Sequence, residues 1–126
     1  VKLSVVNYQG YLTGANSDGD NISVETMKKV LGELNKLPKP LIFCGDLNVN
    51  PNSDAAKLLG QANLRNLVVE NGAKTTLSSA HRAPEKDINS VVCDYVFVSP
   101  DVKVEKFSVS EKIVSDHKAL ILEFSL

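Results

Sequence analysis

Cysteine is scarce in this 126-residue sequence, present only as Cys44 and Cys93. Both sit inside apolar runs with no histidine nearby at zinc-ligand spacing. That argues against a disulfide framework and against a structural zinc site. They read as buried thiols of a reducing compartment such as the cytoplasm, with one disulfide between neighbouring strands as the alternative. Glycine and proline are also few, 7 and 5, which excludes collagen-like and Pro-rich chains. No apolar run approaches the roughly 18 residues of a membrane span, and no signal peptide is visible. Neither sign of charge dominates: Lys+Arg 14 against Asp+Glu 15 leaves a net charge of -1. No strong basic field therefore advertises nucleic acid or an anionic membrane, although a local patch or a bound metal can still serve such partners. What is present is the material of a core. Hydrophobic residues make up 43% and charged residues 23%, a globular balance rather than a disordered one. The length suits one domain at most, on a prior of roughly 100 to 200 residues per domain. The chain starts at Val1, without an initiator Met and already in a strand-like pattern, so we expect a piece of a longer protein.

Internal repeats and low-complexity segments are absent as well. Val1 to Val6 alternates, with Val1, Leu3 and Val5 on one side, and predicts a strand. Gly10 to Asn21 predicts a loop. Asn21 or Ser23 then caps a helix whose Val24, Met27, Leu31 and Leu34 recur at helical spacing. Pro38 and Pro40 stop that helix near Lys36. Leu41 to Cys44 predicts a short buried strand. Ser53 caps a short helix carrying Ala55, Ala56, Leu58 and Leu59, stopped at Gly60. Leu64 to Val69 fits helix or strand. Lys74 to Asn89 is polar and predicts a long loop. Val91 to Val98 predicts a strand apolar on both faces, with Val102 to Val109 paired to it. Ala119 to Leu126 predicts a last strand, with Leu120, Leu122, Phe124 and Leu126 on one face. About five strands and two or three helices argue an α/β fold, a mixed and mostly antiparallel sheet with helices on one face.

Four places put polar groups where strands end. Asp46 and Asn48 follow Leu41 to Cys44, and at i and i+2 of extended chain their side chains converge. Asp94 lies in an otherwise apolar strand, where a carboxylate costs several kcal/mol unless paired. Asp116 and His117 precede the last strand, and Asn7 and Gln9 follow the first. Each has a bland reading. Asp46 can bond turn amides, Asp94 can be a structural partner of a buried Lys or of His117, and Asp116 can cap a turn. Asn7 and Gln9 alone are loop residues, and a lone histidine is more often structural. His81, in a polar loop with Arg82 and Lys86, reads as a solvated surface histidine. Together the residues suit metal-assisted hydrolysis. Carboxylates hold a hard cation through oxygen, an Asp deprotonates a water, and a histidine held by a buried Asp meets developing negative charge. Open α/β sheets also tend to place sites at strand ends.

Three strings carry a family resemblance. Cys44-Gly45-Asp46-Leu47-Asn48-Val49-Asn50-Pro51 resembles the Gly-Asp-Phe/Leu-Asn motif of the endonuclease/exonuclease/phosphatase superfamily, whose members include DNase I-like nucleases, inositol-phosphate phosphatases and sphingomyelinases. Cys93 to Ser99 resembles its Asp-Tyr-Ile/Val-Phe strand, and Val114 to Leu120 its Ser-Asp-His-x-Pro/Ala-Leu ending. Order and spacing agree, and the resemblance runs from Val1 to Leu126. It implies half of a DNase I-like four-layer α/β sandwich. It further implies that Asp46 activates the attacking water and that Asn48 helps hold that water and the phosphate. His117 would stabilise or protonate the transition state with Asp94 bonded to its ring, and Asp116 would lie at or near the metal, Mg²⁺ or Mn²⁺. Asn7 and Gln9 would contact substrate. Gln9 stands where the family carries a histidine, and a glutamine cannot carry a proton or positive charge there.

The resemblance also implies a missing part. The family domain is about twice this length, and this chain resembles only its C-terminal half. The metal-binding Glu, usually in a Gln-Glu string of the first half, has no counterpart here. The inner sheet face would then be bare, which predicts pairing with a second copy or with a separate first-half chain. We expect a fragment of a metal-dependent phosphoesterase, weak or inactive alone. The alternative is a non-catalytic binding or scaffold module that keeps the family sheet. Substrates consistent with the near-neutral charge are nucleic acid, a small phosphoester or a lipid headgroup. Lys28, Lys29, Lys36 and Lys39 lie in one stretch, of which at least the first two suit a solvated helix face.

Overall fold

Alternation at the start of the chain produces β1 at Ser4–Asn7, and the helical spacing that follows produces α1 at Asn21–Leu34. The computed structural model describes residues 2–12 and 21–126. Val1, counted in the expected first strand, and residues 13–20 of the expected Gly10–Asn21 loop lie outside the described residues. Because α1 already starts at Asn21, Ser23 sits within its first turn and not at its cap. Met27 and Leu34 are buried on its inner face, as the spacing requires, and the helix ends two residues before Lys36.

The remaining elements follow in order: β2 at Leu41–Asp46, α2 at Asp54–Gln61, β3 at Arg65–Asn66, α3 at Leu67–Asn71, α4 at Glu85–Ile88, β4 at Asp94–Val98, β5 at Lys103–Val109 and β6 at Leu120–Ser125. Ser53 caps α2 as expected, its Oγ accepting from Ala56 N–H at 3.2 Å. Gly60 does not stop that helix. Packing of Ala55, Ala56 and Leu59 carries it one residue further, to Gln61, against the roughly 1 kcal/mol a helical glycine costs. The ambiguous Leu64–Val69 stretch is both things in turn, the short β3 and then α3, which Asn66 caps through Val69 N–H.

A four-stranded sheet has the order β1-β2-β4-β3, parallel between β1 and β2 and antiparallel elsewhere. Helix α1 bridges the parallel pair, the usual way to join such strands. Side chains alternate across β2. Leu41 and Phe43 face α1 and α2 and share a core with Leu59, Tyr95 and Phe97; Ile42 faces the other way, with Val96, Val98 and Val102. Fully burying each large side chain contributes about 1.5–3 kcal/mol. The sequence pairing of Val102–Val109 with the preceding strand is corrected. β5 pairs antiparallel with β6 as a separate ribbon, with a register shift between Val104 and Lys106. Leu120 and Leu122 of that ribbon pack partly over the second sheet face. Phe124 and Leu126, expected on the same face, stay exposed at 36% and 58%. Alternation in β1 is also as expected, but Val6 points to the helix-side core while Val5 is 61% exposed. Both cysteines are free thiols.

Candidate active site

Strand β2 ends at Asp46 and β4 begins at Asp94, and the antiparallel register sets these two residues opposite one another. Opposed residues share a face of the sheet, so two carboxyl groups meet at its end. Burial raises the pKa of Asp46, and the neighbouring Asp94 charge raises it further; the Asn48 N–H and His117 pull the other way. Asp46 Oδ1 accepts from Asn48 N–H at 2.9 Å. Its turn-capping role is therefore real. Asn48 lies beyond the end of β2, with φ at 53°. The two side chains are thus brought together by a left-handed turn and not by the extended alternation the sequence suggested. The Asn48 amide donates to Gly10 O at 2.9 Å, which holds the segment after β1 against the site.

Asp94 is paired, as its burial demands. His117 Nδ1 and Asp94 Oδ2 are 2.7 Å apart. Burial lowers the His117 pKa, but the hydrogen bond and charge of Asp94, with Asp46 and Asp116 adding to it, outweigh that effect and the net shift is upward. With Nδ1–H committed to Asp94, Nε2 is the ring nitrogen left outside that bond.

The pairing is held by a segment that carries no motif. Residues 75–78, read as loop, form a strap between β4 and the chain before β6. Thr76 is fully buried. Its Oγ1 accepts from Cys93 N–H at 3.1 Å and Asp94 N–H at 3.2 Å, and its carbonyl accepts from Lys118 N–H at 2.7 Å. One residue thereby touches both sides of the Asp94–His117 pair. Leu77 bridges to His117 in strand fashion, and Ser78 Oγ donates to Ser115 O at 2.6 Å. The only trace in the sequence is a lone Leu77 between Thr75-Thr76 and Ser78-Ser79.

A cleft of about 650 Å³ gathers Gln9, Asp46, Asn48, His81 and His117. A second hollow of about 250 Å³ holds Asn7 with Asp46 and Asp94. Asn7, Gln9, Asp46, Asn48, Asp94 and His117 thus line two adjoining hollows that share Asp46. Asp116 is exposed and lies to the side, in a hollow of about 530 Å³ with His81 and Arg82. The reading of His81 as a solvated surface residue is corrected. The strap folds it inward to half burial, with its ring 5.6 Å from that of His117 at 65°.

Ligand atoms of Asp46, Cys93, Asp94 and His117 all lie within 4.8 Å of one another, as do those of His81, Asp116 and His117. Burial pushes the Cys93 thiol far up, with the Asp94 and Asp46 charges adding to the effect, so in the metal-free chain it is a protonated thiol and a poor partner for a hard cation. What remains near the strand ends is two carboxylates and an imidazole. This oxygen-rich set suits a hard divalent cation, whose charge would relieve the Asp46–Asp94 repulsion. Among the described residues no helix is long and apolar enough to cross a membrane.

Among solved structures the chain is similar to a functionally unknown conserved protein from Enterococcus faecalis, at 18% identity and a TM-score of 0.71, over 95% of this chain and 49% of that one. It is similar to a mannosyl-6-phosphatase from Bacteroides thetaiotaomicron at 19% identity and 0.67, over 95% and 50%. The human Nocturnin catalytic domain with bound sulfate follows at 20% and 0.58, over 96% and 46%. The shared feature is the fold, and the chain spans about half the length of these structures. No curated protein matches it. The sequence pattern of the Endonuclease/Exonuclease/phosphatase family matches residues 9–117. With the DNase I-like sheet and the strand-end carboxylates in place, the chain belongs to the endonuclease/exonuclease/phosphatase family.

Proposed function

We propose that this chain is the C-terminal half of a metal-dependent phosphoesterase domain, and that its strand-end cluster takes part in attack of water on a phosphoester. The observation that carries this reading is the 2.7 Å contact between His117 Nδ1 and Asp94 Oδ2, set directly beside Asp46 at the paired strand ends. A structural carboxylate alone would need no free imidazole nitrogen facing a cleft. Asp46 aligns the water and takes its proton; its raised pKa makes it a better base than an ordinary surface Asp. Asn48 fixes the water through its amide oxygen, since its NH₂ is held by Gly10 O. His117 offers Nε2 to the charge developing on the phosphoryl group or leaving oxygen, with Asp94 fixing its ring. Asn7 and Gln9 contact the substrate as hydrogen-bonding amides. A cation, Mg²⁺ or Mn²⁺, would be held beside Asp116, and when bound it would supply charge neutralisation on the phosphoryl oxygens. The first half of the domain, with its metal-binding Glu, covers the sheet face left open around Val5. Nucleic acid, a small phosphoester and a lipid headgroup are the substrate classes consistent with the near-neutral charge.

The test is hydrolysis of bis-p-nitrophenyl phosphate with Mg²⁺ or Mn²⁺, wild type beside Asp46→Ala and His117→Ala. Slow turnover abolished in both variants supports the reading. Turnover unchanged by either substitution removes that residue from the mechanism. No turnover even with the complete domain restored favours the scaffold module, the reading for which Gln9 speaks.

A further inference from the structure

Gln9 leaves the site without the second histidine that the family resemblance implies, yet a second histidine is there. His81 lines the same cleft as Asp46, Asn48 and His117. It follows directly on the strap before β4, far in sequence from Gln9. Its place is fixed on several sides. His81 N–H donates to Ser78 O at 3.1 Å, and Ser78 is itself tied to Ser115 O and to Asp116 O. Its ring stands edge-on to that of His117.

The ring is also oriented. Ala83 N–H donates to His81 Nδ1 at 2.9 Å. Nδ1 must therefore keep its lone pair, and the ring proton sits on Nε2. Among the described residues no group accepts from that Nε2–H. His117 has the opposite arrangement, with Nδ1–H toward Asp94 and Nε2 left over. We propose that His81, through Nε2–H, is the second phosphoryl-binding group of this site, donating a hydrogen bond to a non-bridging phosphoryl oxygen of the substrate. The inference rests on the phosphoester reading and deepens it. It assigns His81 binding rather than proton transfer, because the ring is already neutral with its one N–H proton on Nε2, and giving that up would leave an imidazolate anion. The same geometry argues against His81 as a cation ligand. A metal at Nε2 needs that lone pair, which would force the proton onto Nδ1 and break the bond to Ala83.

Imidazole ¹⁵N shifts of the metal-free protein provide the first readout. His81 is expected in the Nε2–H form, and the Nδ1–H form overturns the inference. Inorganic phosphate is then titrated in the presence of Mg²⁺, followed on His81, His117 and Asn48. All three are expected to shift along one binding curve. His81→Ala is expected to raise the apparent Kd for phosphate about tenfold, the size of one hydrogen bond to a charged acceptor. His81→Gln, which places an N–H near the same point, is expected to restore most of the affinity, an effect no purely structural role predicts. It also keeps the test decisive if the alanine variant fails to fold. Shifts at His117 and Asn48 with His81 silent, or a Kd unchanged by His81→Ala, overturn this inference and leave the phosphoester reading standing. No shift at any of the three overturns the phosphoester reading, and His81's role with it.

Discussion

Gly45 shows how closely single residues set this site. Its φ is +140°, and a Cβ there would lie 1.9 Å from Tyr8 O and 2.8 Å from Asn7 Oδ1. The backbone after β1 can approach Asp46 only because that position carries no side chain. Gly45→Ala is therefore expected to destabilise the chain by at least about 2 kcal/mol and to displace Asn7, read by urea unfolding and by the Asn7 amide resonance. His117 carries a second residue-scale consequence. Its folded pKa lies above its ordinary value of 6.5. The protonated form is thus favoured by folding; the stability it contributes is full below 6.5 and is lost as pH rises through the higher folded value. In metal-free buffer, unfolding free energy is expected to fall with rising pH across that window. Asp94→Asn is expected to flatten the slope and lower the His117 pKa measured by NMR; a slope unchanged in the variant would remove Asp94 as the cause.

At the scale of elements, the strap through Thr76 decides the geometry of the site. Thr76→Val keeps the volume but strands the Cys93 and Asp94 N–H groups that Oγ1 now accepts from. A loss of about 2–3 kcal/mol is expected, together with a weakened Asp94–His117 contact, while Thr76→Ser is expected to recover most of both. Thermal unfolding and the His117 resonances check this. The strap also marks the limit of what the sequence discloses. Alternation and helical spacing reveal β1 and α1, continuous apolar runs reveal β2 and β4 because both of their faces are buried, and Ser53 announces α2 through ordinary capping chemistry. Asp46, Asn48, Asp94 and His117 stand out because polar groups at the ends of apolar runs need a reason. Thr76 and His81 do not stand out, since their roles depend on backbone bonds between segments distant in the chain. The partner of β5 escapes for a similar reason. An alternating strand specifies a face, and both β4 and β6 offer one, so the choice is made by the tertiary packing of Leu120 and Leu122.

For the whole molecule, the asymmetry between the two faces of the sheet matters most. One face is sealed by α1 and α2, where Phe43, Leu59 and Phe97 are almost wholly buried. The other is covered only in part, by the β5–β6 ribbon and by Leu67 of α3. On it Val5, opposite Ile42 in register, remains 61% exposed, although a strand valine normally has a face to pack on. If a first half of the domain covers this face, Val5 is a core residue of the complete protein and a surface residue of the chain alone. Val5→Lys separates the two situations. In the isolated chain it is expected to change unfolding free energy by no more than about 0.5 kcal/mol, as exposed sites do, and to reduce self-association in sedimentation velocity. In a domain containing both halves, the same substitution buries an unpaired ammonium and is expected to cost about 3 kcal/mol or more. Equal small effects in both contexts would show that Val5 faces solvent throughout. A wild-type chain that stays monomeric at high concentration would likewise end the expectation that its open face pairs with a second copy.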